Sequence, residues 1–172
     1  MKVHLCLIIA VLLIDGCEDM GIVSRDMEEA DIKETMFRYQ FFTDGSGLFN
    51  NGLVDEHVTF FALARADLHP IYWHSIAYFD LEKSFMSRFD NAQRPLRNYS
   101  QVRVQTGAVY DNATGQRGIL FFAGPVRWVD GNRVEAEGGY TFGCLNAEGD
   151  IFFISRHSNQ WAVDSVKYRW VS

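Results

Sequence analysis

Proline and cysteine are both scarce in this chain, three of each in 172 residues. So few prolines, with 48% of residues hydrophobic and 22% charged, argue against a disordered or low-complexity chain and fit a domain that folds alone. The cysteines offer no disulfide scaffold: Cys6 and Cys17 lie in or beside the N-terminal leader, and Cys144 then stands alone in the domain. Cys144 has no metal-ligand spacing around it, and its neighbours Gly143 and Leu145 suit a buried small hydrophobe better than a nucleophile with a partner base. No apolar run approaches the ~20 residues that a membrane-spanning helix needs. Basic clusters are missing too. The 16 Lys and Arg are spread singly against 22 Asp and Glu, a formal charge of −6, which argues against nucleic acid as a partner because a phosphate backbone demands concentrated positive charge.

What is present begins with an address. Met1-Lys2-Val3-His4 precedes an unbroken apolar run from Leu5 to Ile14, and Asp15-Gly16-Cys17-Glu18-Asp19 is polar. A short positive start followed by ten apolar residues reads as an export signal over residues 1–16, with a tether at 17–25 and a single domain from 26 to 172. The segment Leu13-Ile14-Asp15-Gly16-Cys17 resembles the lipobox of bacterial lipoproteins, and that resemblance makes Cys17 the residue that would be lipidated. Asp15 stands where that pattern has a small or apolar residue, so simple cleavage is the alternative. Either way the expected location is extracytoplasmic, secreted or held in the cell envelope, with membrane contact only through the lipid anchor.

In the domain, Asp26 to Phe42 reads as a helix, with acidic residues in its first turns and Ile32, Met36, Tyr39 and Phe42 repeating on one face. Val58 to Ala64 is a short apolar strand candidate. Asp80 to Phe89 has the pattern of a second helix capped by Asp80, with Leu81, Phe85 and Phe89 on one side. From Ser100 the period changes to two. Strands are expected over 101–110, 117–129, 133–145, 150–155 and 161–171, joined by turns at 112–115, 130–132, 146–149 and 158–159. Val134, Ala136, Gly138, Tyr140 and Phe142 share one face of their strand, while Glu135, Glu137 and Thr141 take the other. Gly138-Gly139 in mid-strand predicts a bulge or bend that would curl the sheet around the first helix. The high aromatic content of 15% suits such a sheet-rich core. The expected fold is therefore α+β, an N-terminal helix on a strongly bent antiparallel meander.

That order of elements resembles the cystatin-like and nuclear-transport-factor-2-like (NTF2-like) architectures over residues 26–172. A narrower resemblance is carried by Ile32 to Phe41, Ser87-Arg88-Phe89, Tyr99-Ser100-Gln101-Val102, Thr114-Gly115-Gln116-Arg117-Gly118, Val134 to Tyr140 and the ending Trp170-Val171-Ser172. In order and spacing these are similar to an uncharacterised family of bacterial predicted exported proteins, which implies no particular reaction.

Chemistry candidates are few. His69 and His74 are five apart, but Pro70 forbids a regular helix through them, and with His57 and Asp67 they read as loop residues rather than a metal site. Glu135 and Glu137 share a face opposite the apolar one and read as surface carboxylates, although NTF2-like enzymes often place an Asp, Glu or His on the concave side of the sheet. Arg38, beside the helix's apolar stripe, calls for a carboxylate partner. Trp128, Tyr140, Trp161, Tyr168 and Trp170 fall on successive strands, mostly as cross-strand packing. No catalytic residue, cofactor or metal is assigned. The expected function is a non-enzymatic binding or interaction module of the envelope, meeting an unknown protein, a small apolar ligand or a second copy of itself. The alternative is a small-molecule pocket enzyme of lyase, isomerase or hydrolase type, marked by a buried ionisable residue with a displaced pKa.

Overall fold

A long helix, α1 (Glu18–Phe42), opens the fold, followed by short strands and then by four long ones. The computed structural model describes residues 18–43, 57–65, 76–92, 95–143 and 146–171, with side chains in the first helix from residue 25 onward. Residues 1–17, where the leader is expected, His69, His74 and all three cysteines, including Cys17, lie outside the described residues. The strands are β1 (Val58–Arg65), β2 (Ala77–Phe79), β3 (Leu96–Asn98), β4 (Val102–Gln105), β5 (Ala108–Asp111), β6 (Gly118–Trp128), β7 (Arg133–Gly143), β8 (Asn146–His157) and β9 (Gln160–Val171). A one-turn helix, α2 (Lys83–Met86), precedes β3 and runs into a 3-10 turn at Ser87–Phe89.

The molecule is α+β, with one curled mixed sheet of half-barrel form and few helices. β6 to β9 form an antiparallel meander, as the two-residue rhythm predicts. The sheet is not antiparallel throughout, which corrects the expected meander. β1 lies parallel to β6, from Val58 opposite Gly118 to Leu63 opposite Ala123, and parallel to β3 on its other side. Parallel strands covered on both faces favour continuous apolar runs, and Phe60-Phe61-Ala62 and Ile119 to Ala123 are such runs. The expected strand 101–110 is two strands, β4 and β5, turned at Thr106 and Gly107, both with positive φ (48° and 75°). A similar pair at Ser158 and Asn159 (49° and 65°) makes the anticipated turn between β8 and β9.

α1 already runs through the residues read as a tether, from Glu18 on. Asp26 to Glu34 therefore lie along the helix body rather than at its positive end, and their charges meet side-chain cations. Glu28 pairs with Arg156 at 2.7 Å, Glu29 with Lys33 at 3.4 Å, and Asp31 and Glu34 with Arg88 at 2.6 and 2.8 Å. Arg38 finds its carboxylate in Glu34 at 2.7 Å. The buried face is Ile32, Met36, Phe37, Gln40 and Phe41; Phe42, expected inward, is 48% exposed. Phe37 and Phe41 are one turn apart and both reach Phe61 of β1, with ring centroids at 4.3 and 5.9 Å. Those contacts set the helix rotation. The core on this face of the sheet adds Leu81, Phe85, Phe89, Phe121 and Phe152. A second cluster, with Phe60, Tyr78, Val109, Leu120, Phe122 and Trp170, occupies the opposite face.

Asp80 does not cap the second helix; its carboxylate accepts the Ser100 N–H at 2.6 Å, and Glu82 stands at the N-cap of a helix cut to one turn. The bulge expected at Gly138-Gly139 falls instead on the partner strand, where Gly124-Pro125 interrupts the register between Ala123 and Val126. Pro125 has no N–H to give the ladder, so a bulge is the natural place for it. The two glycines serve close approach. A Cβ on Gly138 would stand 2.8 Å from Met36 Cε, and one on Gly139 would land on the Glu148 carbonyl.

Candidate functional site

The unexpected feature of the face beneath α1 is a pair of buried carboxyls on β8. The strand begins at Asn146, four residues before the expected start, because 146–149 pairs with β7 instead of turning. Strand alternation then puts Glu148 and Asp150 on the face that Phe152 and Ile154 occupy, beneath α1. Each is only 7% exposed. Cross-strand partners define their surroundings. Glu148 lies opposite Tyr140 of β7, and Asp150 lies between Gly138 of β7 and Tyr168 of β9.

The Tyr140 hydroxyl donates to Glu148 Oε2 at 3.1 Å. The absent side chain at Gly138 admits Gln40 of α1, whose Nε2 would be 3.1 Å from a Cβ there and donates to the Gly139 carbonyl at 3.4 Å. Tyr39 packs edge-on to Phe152, and Tyr140 stacks on Phe142. Tyr168, 64% exposed, stands at the outer rim, one strand beyond the pair.

A buried carboxylate without a cation is held off ionisation by desolvation and by any like charge beside it. Both effects act here. Burial pushes Asp150 up to about 8, reinforced by the charge and hydrogen bond of Glu148. Burial also raises Glu148, opposed by the hydrogen bonds from Tyr140 and Asp150. Tyr140 is pushed upward by burial and then by Glu148, and Tyr168 mainly by the Glu148 charge. The β9 cations face away: Lys167 is opposite Ile151, and Arg169 pairs with Glu137 on the other side of the sheet. Two coupled carboxyls of this kind share one proton near neutrality, as one unit.

Glu148 Oε1, Asp150 Oδ1 and Gln40 Oε1 are buried acceptors without a hydrogen-bond partner. A shared proton accounts for part of that deficit; a bound donor would complete it. Among the described residues no group of three or more His, Cys, Asp or Glu could hold a metal ion.

The residues singled out by sequence lie elsewhere. Glu135 and Glu137 sit on the face away from α1, each paired with an arginine, Arg127 and Arg169. His57 is half-buried with its ring 6.3 Å from Phe142. Trp128 and Trp161 pack edge-to-face at 5.7 Å, and Trp170 covers Gly149 from the other side. Ser155, His157 and Asp164 form an exposed trio, but Ser155 Oγ and Asp164 Oδ1 both address His157 Nε2, at 2.8 and 3.0 Å. A nucleophile relay needs the two partners on different ring nitrogens, so this is a surface contact. Sequence reasoning missed the pair by treating Asn146 to Gly149, and with them Glu148, as a turn that left Asp150 at the very start of a short strand. The signal was present: the two-residue step from Ile154 and Phe152 runs on backwards to Asp150 and Glu148.

A groove of about 430 Å³ opens between α1 and α2, lined by Glu29, Lys33, Leu63, Leu81, Phe85 and Arg88. Its two cations are already paired, Lys33 with Glu29 and Arg88 with Asp31 and Glu34, so it exerts little pull on an anionic ligand. No helix among the described residues is long and apolar enough to cross a membrane. The chain matches no family model, no curated protein and no solved structure. Its chemistry is accordingly read from the site itself.

Proposed function

We propose that this protein is a small-molecule pocket enzyme of lyase, isomerase or hydrolase type, with the Glu148–Asp150 pair as its proton-transfer centre. The observation that carries the reading is a buried pair of carboxyls on the face beneath α1, without a cation and hydrogen-bonded to Tyr140. Such a pair keeps one proton to give and one carboxylate to receive near neutral pH, as general acid–base work requires. The build proposed for it is NTF2-like or cystatin-like, with the first helix lying across the curled sheet. In a screen of lyase, isomerase and hydrolase substrates, Asp150→Asn lowers kcat/KM by about 10²–10⁴-fold. The wild-type rate has one pH limb governed by the pair, near 8. Turnover that survives both Asp150→Asn and Glu148→Gln removes the proposal.

A second reading is favoured by how fully the space under the helix is packed. Phe37, Phe61, Phe85, Phe89, Phe121 and Phe152 fill it beneath the middle of α1, which suits a non-enzymatic binding or interaction module. On that reading the protein meets a partner protein, a small apolar ligand or its own second copy, and the screen finds no turnover. Both readings are placed outside the cytoplasm, in keeping with the resemblance to exported proteins and the leader at 1–16. Mass spectrometry of the mature N-terminus decides between a lipidated Cys17 and simple cleavage.

A further inference from the structure

Resting on the reading of the Glu148–Asp150 pair as the working centre, we infer that the site takes a small molecule through a primary ammonium group, bound by Glu148, Asp150 and Gln40 beneath α1. The proposal stands on the count and placement of unused acceptors. Gln40 is 4% exposed and Glu148 and Asp150 are 7% exposed, and each has one side-chain oxygen without a partner, three acceptors in all. They come together by construction. Residues two apart on a strand share a face, and a directly opposed cross-strand pair brings Cβ positions to about 4.5–5.5 Å. The Gln40 amide fills the place of the missing side chain at Gly138, the residue opposite Asp150.

The surroundings of the pair are acceptor-rich and, among the described residues, cation-free. Gln40 Nε2 is spent on the Gly139 carbonyl, the Tyr140 hydroxyl is spent on Glu148, and the β9 cations lie on the other face. A primary ammonium supplies three N–H donors for the three acceptors and one positive charge, which takes the place of the proton that the pair holds when empty. An alcohol brings one donor and no charge. A hard divalent cation wants about six oxygens, and no third carboxylate joins this pair among the described residues. Tyr140 and Tyr168 border the pair, and aromatic rings favour a cation over a neutral group.

Charge balance adds a signature that a merely structural acid pair lacks. The empty pair carries one proton and a charge of −1. When the ammonium enters, that proton leaves to solvent, and the pair at −2 with the ligand at +1 keeps the same total. The groups facing the pair are Tyr140 of β7, Tyr168 of β9 and Gln40 of α1; both tyrosines are pushed upward from their ordinary value and the amide has no proton to lose, so the released proton is the pair's own. For an amine that is itself fully protonated, affinity therefore rises about tenfold per pH unit up to about 8 and then levels.

The test is titration calorimetry of the purified protein with a series from methylammonium to 2-phenylethylammonium, each beside the alcohol of the same shape. Mildly acidic runs are made in two buffers of different ionisation heat. The expected result is saturable binding of at least one ammonium compound, release of about one proton and no binding of the matched alcohol. Asp150→Asn and Glu148→Gln each lower affinity by about tenfold or more, in keeping with a lost charge-assisted hydrogen bond. Equal binding of ammonium and alcohol, no binding of any member at millimolar concentration, or binding without proton release overturns the inference. The proton count is made on the wild-type protein, so it decides the matter even if a variant folds poorly. If the ammonium series fails while turnover still responds to Asp150→Asn, the ligand class is wrong and the proton-transfer centre stands. If neither responds, both fall.

Discussion

Glu148 and Asp150 show how far two residues can depart from the preference of their type. Carboxylates are almost never buried unless paired with a cation, and these pair with each other. The backbone around them is just as constrained. Gly139 faces the Glu148 carbonyl so closely that a Cβ would land on it, with Phe122 Cζ 3.0 Å away. The nearest atoms are backbone of the paired strand, so there is no flexible side-chain end to yield. Gly139→Ala is expected to cost about 1–3 kcal/mol or more, the range of overpacked interiors. Chemical denaturation reads this as a lowered midpoint at unchanged slope. An unchanged midpoint would mean that β7 and β8 part at Gly139 without loss. Asp111 illustrates the opposite electrostatic case. Although inaccessible to solvent, it accepts from Thr114 Oγ1 at 2.5 Å and Arg97 Nη1 at 2.6 Å, and the Thr114 hydroxyl first of all holds its pKa below the ordinary value.

Among the elements, α1 is oriented by aromatic contacts with the sheet rather than by its own pattern of apolar residues. Phe61 of β1 is the hub, stacked on Phe37 at 4.3 Å and edge-on to Phe89 at 5.1 Å, Phe41 at 5.9 Å and Phe121 at 6.3 Å. Phe61→Ala removes all four contacts from a fully buried site and should destabilise the fold by about 3–5 kcal/mol. Calorimetric melting checks this, and a loss under about 1 kcal/mol would mean that the helix closes over the vacancy. The ion pairs of Arg88 with Asp31 and Glu34 tie α1 to the Ser87–Phe89 turn, but all three side chains keep solvent contact. Arg88→Ala should cost about 1 kcal/mol or less. α1 is thus held mainly by its rings. The long start of β8 is the other decision at this scale, since it converts four residues suited to a turn into the strand that carries the acid pair.

For the whole molecule, these groups set how stability depends on pH. Asp150 has a folded pKa raised above its unfolded value, so the folded protein binds the extra proton between the ordinary carboxylate range and about 8. Over that interval stability falls as pH rises, and above it the loss is complete. Asp111, Asp130 and Asp164 have lowered values, each through hydrogen bonds led by Thr114, the Asn132 backbone and Ser155 respectively. Their contribution is present above the unfolded carboxylate value and is lost as pH falls through the folded ones. The melting temperature should therefore peak in the mildly acidic range, dropping on both sides. Asp150→Asn should flatten the drop between the mildly acidic range and about pH 8 and leave the acid side in place. A wild-type curve rising steadily to pH 8 would contradict a shared proton at Glu148 and Asp150.

Local spacing alone was enough to place β1, β6, β7 and β9 within a residue or two, the β8–β9 turn at Ser158-Asn159, and the inward face carrying Val134, Ala136 and Tyr140. Apolar alternation and turn chemistry are properties of neighbours in the chain, so they survive without knowledge of the rest. Tertiary structure alone decided that β1 pairs in parallel with β6, some sixty residues on, because that register depends on Phe61 meeting Phe121 across the sheet. It also chose which face of α1 is buried. Above all it decided the fate of Glu148 and Asp150: in sequence Glu148 belongs to a polar turn and Asp150 opens the short strand after it, and only pairing with β7 on one side and β9 on the other, beneath Gln40, turns both into buried acids. Desolvation is set by what packs around a group, and that is information no stretch of local sequence contains.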